Sequence, residues 1–181
     1  MGNIYSKKTA ILGFFFISII GTLSHFIYEW AGKNEIIGAF TAVNESTWEH
    51  LKIAIIPAFI WLIITLIINK EKKNFFIANL LSFLTIIISI LVIFYGYKAI
   101  FEKDILVFDI LAFYIAIGLG QFVSYKIMNY SELPTWLNNI SIMLLTLLFL
   151  SFIVFTYYPP KMEIFRNPLN DGYGIESSKL L

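Results

Sequence analysis

The sequence contains no cysteine and few charged residues, and both absences narrow the functions open to it. Without cysteine there is no disulfide, no thiolate metal ligand, no thiol nucleophile and no cysteine-ligated iron–sulfur cluster. Charged residues make up 14% of the chain, well below the roughly 25% of soluble domains. They form no basic stripe, so we expect no nucleic-acid partner. Any chemistry therefore rests on histidine, carboxylate, lysine or hydroxyl groups.

What the sequence has in excess is apolar residues, in runs long enough to cross a membrane. Hydrophobic residues make up 59% of the 181 residues, and the mean hydropathy is +0.79. A helix needs about 20 apolar residues to cross the roughly 30 Å of hydrocarbon in a lipid bilayer. Residues 1–158 are therefore predicted to form an all-α, polytopic transmembrane helical bundle with five spans, approximately 9–30, 47–68, 74–97, 105–126 and 136–158.

The first apolar run and the lysines decide the predicted topology. Lys7 and Lys8 precede the run as in a secretory signal, but the run is long enough to span and ends without a small-residue cleavage site. We expect it to be retained. Positive charges occur on both faces, and the compact lysine cluster at 70–73 favours a cytoplasmic N-terminus. We predict a multi-pass plasma-membrane protein whose polar C-terminal tail, residues 159–181, lies outside.

Unusual polar residues collect on one predicted membrane face. Because the spans alternate in direction, the ends of the first, third and fifth meet the starts of the second and fourth. Both histidines lie there, His25 near the end of the first span and His50 near the start of the second. Ionisable groups are costly inside a membrane, so such a cluster usually faces a bundle interior or a wet cavity. The pattern predicts a site in which acidic side chains join the imidazoles: Glu29, Glu45, Glu49 and Asp109.

We interpret this cluster as a His/carboxylate site for a divalent metal such as zinc, or for protons. The predicted metal ligands are His25, Glu29, His50 and Asp109. The predicted catalytic groups are Glu45, Glu49 and His50. The second histidine of the H-E-x-x-H zinc motif is missing, so the spacing is not that of a known zincin. Ser46 and Glu49 also match a capping box, and this structural role stays open beside the functional one.

Neighbouring residues have simpler interpretations. Tyr28, Trp30 and Trp48 are typical of the aromatic belt at a membrane interface. Lys52 is expected either to extend its ammonium group toward water or to pair with Glu49 or Glu45.

Two segments carry a family resemblance. They are residues 44–52, N-E-S-T-W-E-H-L-K, and residues 24–30, S-H-F-I-Y-E-W, with G-Y-G-I following at 172–175. The sequence resembles an uncharacterised family of small polytopic membrane proteins from low-GC Gram-positive bacteria, a domain of unknown function with the motif N-E-S-x-W-E-H-x-K. The resemblance covers nearly the whole chain and implies membership without implying an activity.

Three functions stay open at this point. The first is a metal-dependent, membrane-embedded hydrolase of a lipid or lipid-linked substrate, in which the metal activates water. The second is a cation- or proton-coupled transporter or channel subunit, for which five spans need self-association or a membrane partner. The third is an accessory protein whose tail contacts another membrane protein.

Overall fold

The computed structural model describes residues 5–68 and 73–179, and within these ranges the chain is built from helices. They are α1 (Lys7–Trp30), α2 (Glu35–Gly38), α3 (Thr47–Ile68), α4 (Phe75–Phe101), α5 (Leu106–Met128), α6 (Thr135–Tyr157) and α7 (Gly174–Ser178). A short 3-10 helix, Glu163–Phe165, follows α6. Five of these helices, α1, α3, α4, α5 and α6, are long and apolar enough to cross a membrane. The predicted all-α, multi-pass architecture is confirmed.

The long helices follow the predicted spans, with one extension at the end of α4. The predicted span 74–97 stops before Lys98, whereas the helix continues to Phe101. The Lys98 ammonium suits the negative end of the helix dipole, and its Nζ lies 2.9 Å from the Asp104 carboxylate. The helix ends at Phe101, and the next residue, Glu102, has a left-handed φ of 54°. The helix therefore includes a charged residue, Lys98, in its last turn, whereas the span predicted from hydropathy stops before that residue.

Helices α4 and α5 form the most extensive pair in the bundle, and small residues allow their close approach. A Cβ atom added to Gly120 would lie 2.5 Å from Ile86 Cγ1 and 3.0 Å from the Ser82 carbonyl oxygen. Among the residues that the structure describes, a Cβ atom on Gly118 would meet only Phe14, at 3.8 Å. Helix α1 packs against α3 and α5, and α6 packs against α4. The core between the helices is apolar and includes Ile17, Ile55, Phe83 and Ile117.

The loop between α1 and α3 and the segment after α6 fold together at one end of the bundle. We call residues 31–46 and 159–179 the cap. The Tyr157 hydroxyl at the end of α6 donates to the Glu35 carbonyl oxygen of the cap at 2.8 Å. Within the cap, Lys179 Nζ lies 2.8 Å from the Glu35 carboxylate. Phe165 and Ile175 are buried. The polar tail is therefore packed onto the face where α1 and α6 end and α3 begins.

The close approach at Gly120 gives a test of the packing. Overpacking a helix interface costs about 1–3 kcal/mol, whereas alanine in a helix interior is more stable than glycine by roughly 0.5–1 kcal/mol. We expect the Tm of the detergent-solubilised protein to fall for Gly120→Ala and to stay or rise for Gly118→Ala. Equal Tm values for the two variants would contradict the contact between α4 and α5 at Gly120.

Candidate functional site

Glu45 lies between the two histidines where the cap meets the bundle. Its Oε1 is 3.9 Å from His25 Nε2, and its Oε2 is 3.5 Å from His50 Nε2. The two imidazole centroids are 5.6 Å apart. The side chains of His25, His50 and Glu45 are 30%, 39% and 42% exposed. Three of the predicted site residues are therefore brought together in a position that solutes can reach.

The surroundings of His50 decide which ring nitrogen carries its proton. Nδ1 lies 3.0 Å from the Ser46 carbonyl oxygen. A carbonyl oxygen only accepts hydrogen bonds, so Nδ1 donates and Nε2 of the neutral ring presents a lone pair toward Glu45. A lone pair facing a carboxylate is repulsive unless a proton or a metal ion lies between them. Fixing Nδ1–H on a backbone carbonyl is also the usual way in which metal-ligating histidines are oriented.

His25 presents the same nitrogen to the same carboxylate. Its Nδ1 is buried without a hydrogen-bond partner among the residues that the structure describes, while its Nε2 points to Glu45. The Phe26 ring packs edge-on against the His25 ring, with centroids 5.1 Å apart. With its proton on Nε2, His25 points an N–H group at Glu45; with its proton on Nδ1, its Nε2 lone pair joins that of His50 and the Glu45 carboxylate in a group suited to a cation.

A pocket of about 120 Å³ opens beside this group. Its walls come from the end of α1 and from both parts of the cap: His25, Tyr28, Glu29, Lys33, Asn44, Glu45, Asn167, Leu169 and Ser178. Lys33 Nζ donates to the Ser178 carbonyl oxygen at 2.8 Å and lies 3.9 Å from Glu29. Two carboxylates and one ammonium group line the pocket, so its charge favours a cation over an anion.

Two of the predicted metal ligands interact with residues other than the histidines. Asp109, in the first turn of α5, accepts a hydrogen bond from the Tyr97 hydroxyl of α4. Glu29 lines the pocket, but its side chain is 67% exposed and its ion-pair partner is Lys33. Across residues 5–68 and 73–179, no group of three or more His, Asp and Glu residues is arranged to hold a metal ion. The predicted four-ligand set is therefore not assembled, and metal binding stays a prediction.

Glu49, predicted as a catalytic group, is instead buried in an ion pair. Its Oε2 lies 2.6 Å from Lys52 Nζ, and the two side chains are 2% and 0% exposed. Lys52 Nζ also donates to the Gly38 carbonyl oxygen at 2.9 Å and to Thr156 Oγ1 at 2.7 Å. The Glu49 carboxylate accepts the Val43 N–H at 3.1 Å. The pair therefore connects α3 to the cap and to α6, and the expected pairing of Lys52 with Glu49 is found.

The predicted capping box is only half formed. Ser46 Oγ accepts the Glu49 N–H at 3.4 Å, as the motif requires. The Ser46 N–H, however, donates to Asn44 Oδ1 at 2.9 Å. The Glu49 carboxylate does not return to the start of the helix because Lys52 and the Val43 N–H bind it.

The aromatic-belt interpretation fits one of its three residues. Trp30 is 69% exposed, as expected at a membrane interface. Tyr28 is buried, and its hydroxyl shares a hydrogen bond of 3.0 Å with Ser178 Oγ. Trp48 stacks on Phe152, with ring centroids 4.4 Å apart, and also contacts the cap. The cap covers the end of the bundle at which Tyr28 and Trp48 would otherwise have met the interface.

The ion pairs on the surface of the cap are exposed to solvent, unlike the buried pair of Glu49 and Lys52. The hydrogen bond from Arg166 lowers the pKa of the Glu163 carboxyl group below its usual value. Hydrogen bonds to Glu176 and then to Glu35 raise the pKa of the Lys179 ammonium group. These groups stay charged near neutral pH, and water screens them, so they contribute little to stability.

The buried pair should matter far more to stability than an exposed one. Removing one partner of a buried ion pair costs about 3–5 kcal/mol because the other charge stays buried without compensation. An exposed pair contributes about 0–1 kcal/mol. We expect Lys52→Met to lower the Tm strongly, and Lys98→Met, which breaks the exposed pair with Asp104, to change it little.

A double variant separates loss of charge from loss of packing. In Glu49→Leu/Lys52→Met no charge is left buried, so much of the stability lost in Lys52→Met should return. A double variant that is less stable than Lys52→Met would show that the hydrogen bonds to Gly38, Val43 and Thr156 matter more than the uncompensated charge.

Comparisons with known proteins give a family for the chain. A search of curated proteins and a search of solved structures each found no match. A family model described as a family of unknown function (DUF6512) matches residues 2–175. The predicted membership of an uncharacterised family is confirmed, while the bacterial source stays a prediction. Because the match covers nearly all of its length, the chain belongs to this family of unknown function, DUF6512.

Proposed function

We propose that the protein is a membrane-embedded, cation-dependent hydrolase, with a divalent metal such as zinc bound by His25, His50 and Glu45. The observation that carries the proposal is that both Nε2 atoms face the oxygens of a single carboxylate. With zinc–ligand bonds of about 2.0–2.2 Å, neighbouring ligand atoms of a tetrahedral site lie about 3.4 Å apart. The Glu45–His50 distance is 3.5 Å and the Glu45–His25 distance is 3.9 Å. Because the three groups are not arranged to hold a metal ion in the structure, binding requires their side chains to rotate until all three ligand atoms are within this range.

The chemistry follows from the groups that line the pocket. Catalytic zinc sites use three protein ligands and leave the fourth position to water or substrate. A metal held there would lower the pKa of its bound water and so supply a nucleophile near neutral pH. Glu29 is the second carboxylate of the pocket and the candidate general base. Glu49 has no part in this scheme because Lys52 holds its carboxylate in the interior.

The position of the site supports a lipid or lipid-linked substrate. Phe26 and Trp30, on the same stretch of α1 as His25, are 47% and 69% exposed. Their rings stack with centroids 5.8 Å apart. Exposed aromatic rings at the end of a membrane helix lie at the depth of the lipid headgroups. A headgroup in the bilayer would therefore lie at the level of the pocket.

The positive charges of α1 support an orientation of the protein in the membrane. We propose that the N-terminus lies in the cytoplasm and that the cap lies on the outer side of the plasma membrane. Support comes from Lys7 and Lys8, which are exposed in the first turn of α1, at the opposite end from His25. The lysine cluster at 70–73 was the other basis for this prediction, and except for Lys73 it lies outside the described residues.

Transport and accessory roles stay as alternative hypotheses, together with self-association. A transporter must expose its site to each side of the membrane in turn, whereas the pocket is walled by the cap at one end of the bundle. This geometry supports binding and reaction at one face more directly than passage across the membrane.

Cation binding is the first property to test. We expect near-stoichiometric zinc in the purified wild-type protein, measured by elemental analysis, and a defined zinc affinity by titration calorimetry. His25→Ala, His50→Ala and Glu45→Gln should lose both. Asp109→Asn is the matched control and should keep both, because Asp109 pairs with Tyr97. Zinc content that is the same in all variants, or absent from the wild type, would contradict the proposal.

Turnover is the second property to test. The zinc-loaded protein would be reconstituted in vesicles of phosphatidylglycerol and phosphatidylethanolamine, and mass spectrometry would follow hydrolysis of the lipids. Glu29→Gln should bind zinc normally and react about 10²–10⁴-fold more slowly, the usual contribution of a general base. Proton or zinc flux across the vesicle membrane without lipid hydrolysis would favour the transport hypothesis instead.

A further inference from the structure

A continuous chain of hydrogen bonds runs from the C-terminal helix α7 to His50. The Asn44 amide nitrogen donates to the Gly174 carbonyl oxygen at 2.9 Å and to Ser177 Oγ at 3.1 Å. Its Oδ1 accepts the Ser46 N–H at 2.9 Å. The Ser46 carbonyl oxygen in turn accepts both the His50 backbone N–H, at 3.1 Å, and the His50 Nδ1–H, at 3.0 Å. One side chain therefore links α7, in the C-terminal part of the cap, to the turn that orients a site residue.

Burial makes this arrangement specific. Asn44 is 8% exposed and Ser46 is 2% exposed, so water reaches their polar groups poorly. The NH₂ group of Asn44 meets acceptors and its oxygen meets a donor, so the amide has one favourable orientation. Leaving the Ser46 N–H buried and unpaired would cost about 1–3 kcal/mol. An asparagine that bonds the backbone two residues ahead also shapes the turn itself.

We propose that Asn44 is a positioning residue that holds the Ser46 carbonyl oxygen in place and thereby keeps His50 in the tautomer whose Nε2 faces Glu45. The importance of this role for activity rests on the proposed cation site. Asn44 does not act on a substrate itself. Its contribution is to fix a turn whose middle residue is Glu45 and whose last residue supplies the acceptor for His50.

The consequence of losing Asn44 follows from the exposure of the ring. The Ser46 carbonyl oxygen also accepts the His50 backbone N–H at 3.1 Å, so it stays near the ring when Asn44 is lost. The His50 side chain is 39% exposed, so a shift of this turn that lengthens the bond to Nδ1 lets the ring rotate and exchange tautomers. Glu45 lies in the same turn and would shift with Ser46. Substitutions that disturb the orientation of metal-ligating histidines typically weaken metal binding about 10–100-fold. We expect a loss of zinc affinity in this range for Asn44→Ala.

The direct readout is the tautomer of His50, measured by nitrogen NMR on protein labelled with ¹⁵N-histidine. The chain has 2 histidines, so the His25→Gln variant assigns both sets of signals. In the zinc-free wild type at a pH where the ring is neutral, we expect His50 to be protonated on Nδ1. In Asn44→Ala we expect both tautomers to be populated.

Two controls separate positioning from general loss of stability. Ser46→Ala removes the hydroxyl that caps α3, at a cost of about 1 kcal/mol, but it keeps the backbone N–H and carbonyl groups of the route. Lys179→Met removes the ion pair that anchors α7 to Glu35 without touching Asn44. Both variants should retain the Nδ1–H tautomer of His50 and bind zinc as the wild type does.

The outcomes distinguish this proposal from the proposed function. An unchanged His50 tautomer in Asn44→Ala overturns the positioning role, whatever happens to zinc. A wild-type Nδ1–H tautomer that is lost in Asn44→Ala, in a protein that binds no zinc, supports the positioning role and removes the cation site. If Asn44→Ala does not fold, Asn44→Ser makes the same turn more weakly and should give a smaller shift in the same direction. An unchanged tautomer in Asn44→Ser overturns the proposal equally.

Discussion

The buried ion pair between Glu49 and Lys52 is the interaction on which the shape of the cap depends. Two charges taken out of water are stable only when they are paired and their remaining hydrogen-bonding groups are satisfied. Here the satisfying groups come from two parts of the chain, the loop before α3 with Gly38 and Val43, and the end of α6 with Thr156. The need to compensate these charges fixes the loop before α3 against the end of α6. Glu45 belongs to that loop, so its place between the histidines depends on the pair.

The motif at residues 44–52 divides into an inward and an outward set. Asn44, Ser46, Glu49 and Lys52 are buried, while Glu45 and His50 are reached by solvent. Helical geometry accounts for part of this division, because residues three apart in α3 lie on one side of the helix. The turn before the helix accounts for the rest, since it sends neighbouring side chains in opposite directions. The motif suggests one catalytic cluster, but most of its polar residues are buried and structural. Only Glu45 and His50 among its ionisable groups are open to solvent.

The sequence predicted the bundle more completely than the cap. Length and hydropathy locate the five spans, and alternation of direction places His25 and His50 at one end. The pairing of Glu49 with Lys52 could also be predicted from the sequence, because residues three apart on a helix interact. The burial of the pair could not be predicted, since it depends on Thr156, 104 positions away from Lys52. The residues 159–179 carry no long apolar run, so nothing in the hydropathy pattern shows that they fold onto this end.

The buried polar network around Glu49 and Lys52 lies next to the exposed group of Glu45 and the two histidines, and its hydrogen bonds explain why. Much of the rest of the bundle is held by apolar packing of the kind seen at Ile17 and Phe83, and an apolar contact in place of a buried ion pair is often as stable or more stable. A polar network at one end therefore adds little stability that packing would not supply. What it adds is direction, because hydrogen bonds fix the angle at which a turn leaves a helix. At this end the direction of the turn places the Glu45 carboxylate between the two imidazoles. A rotation of the turn would move the carboxylate away from one or both of them.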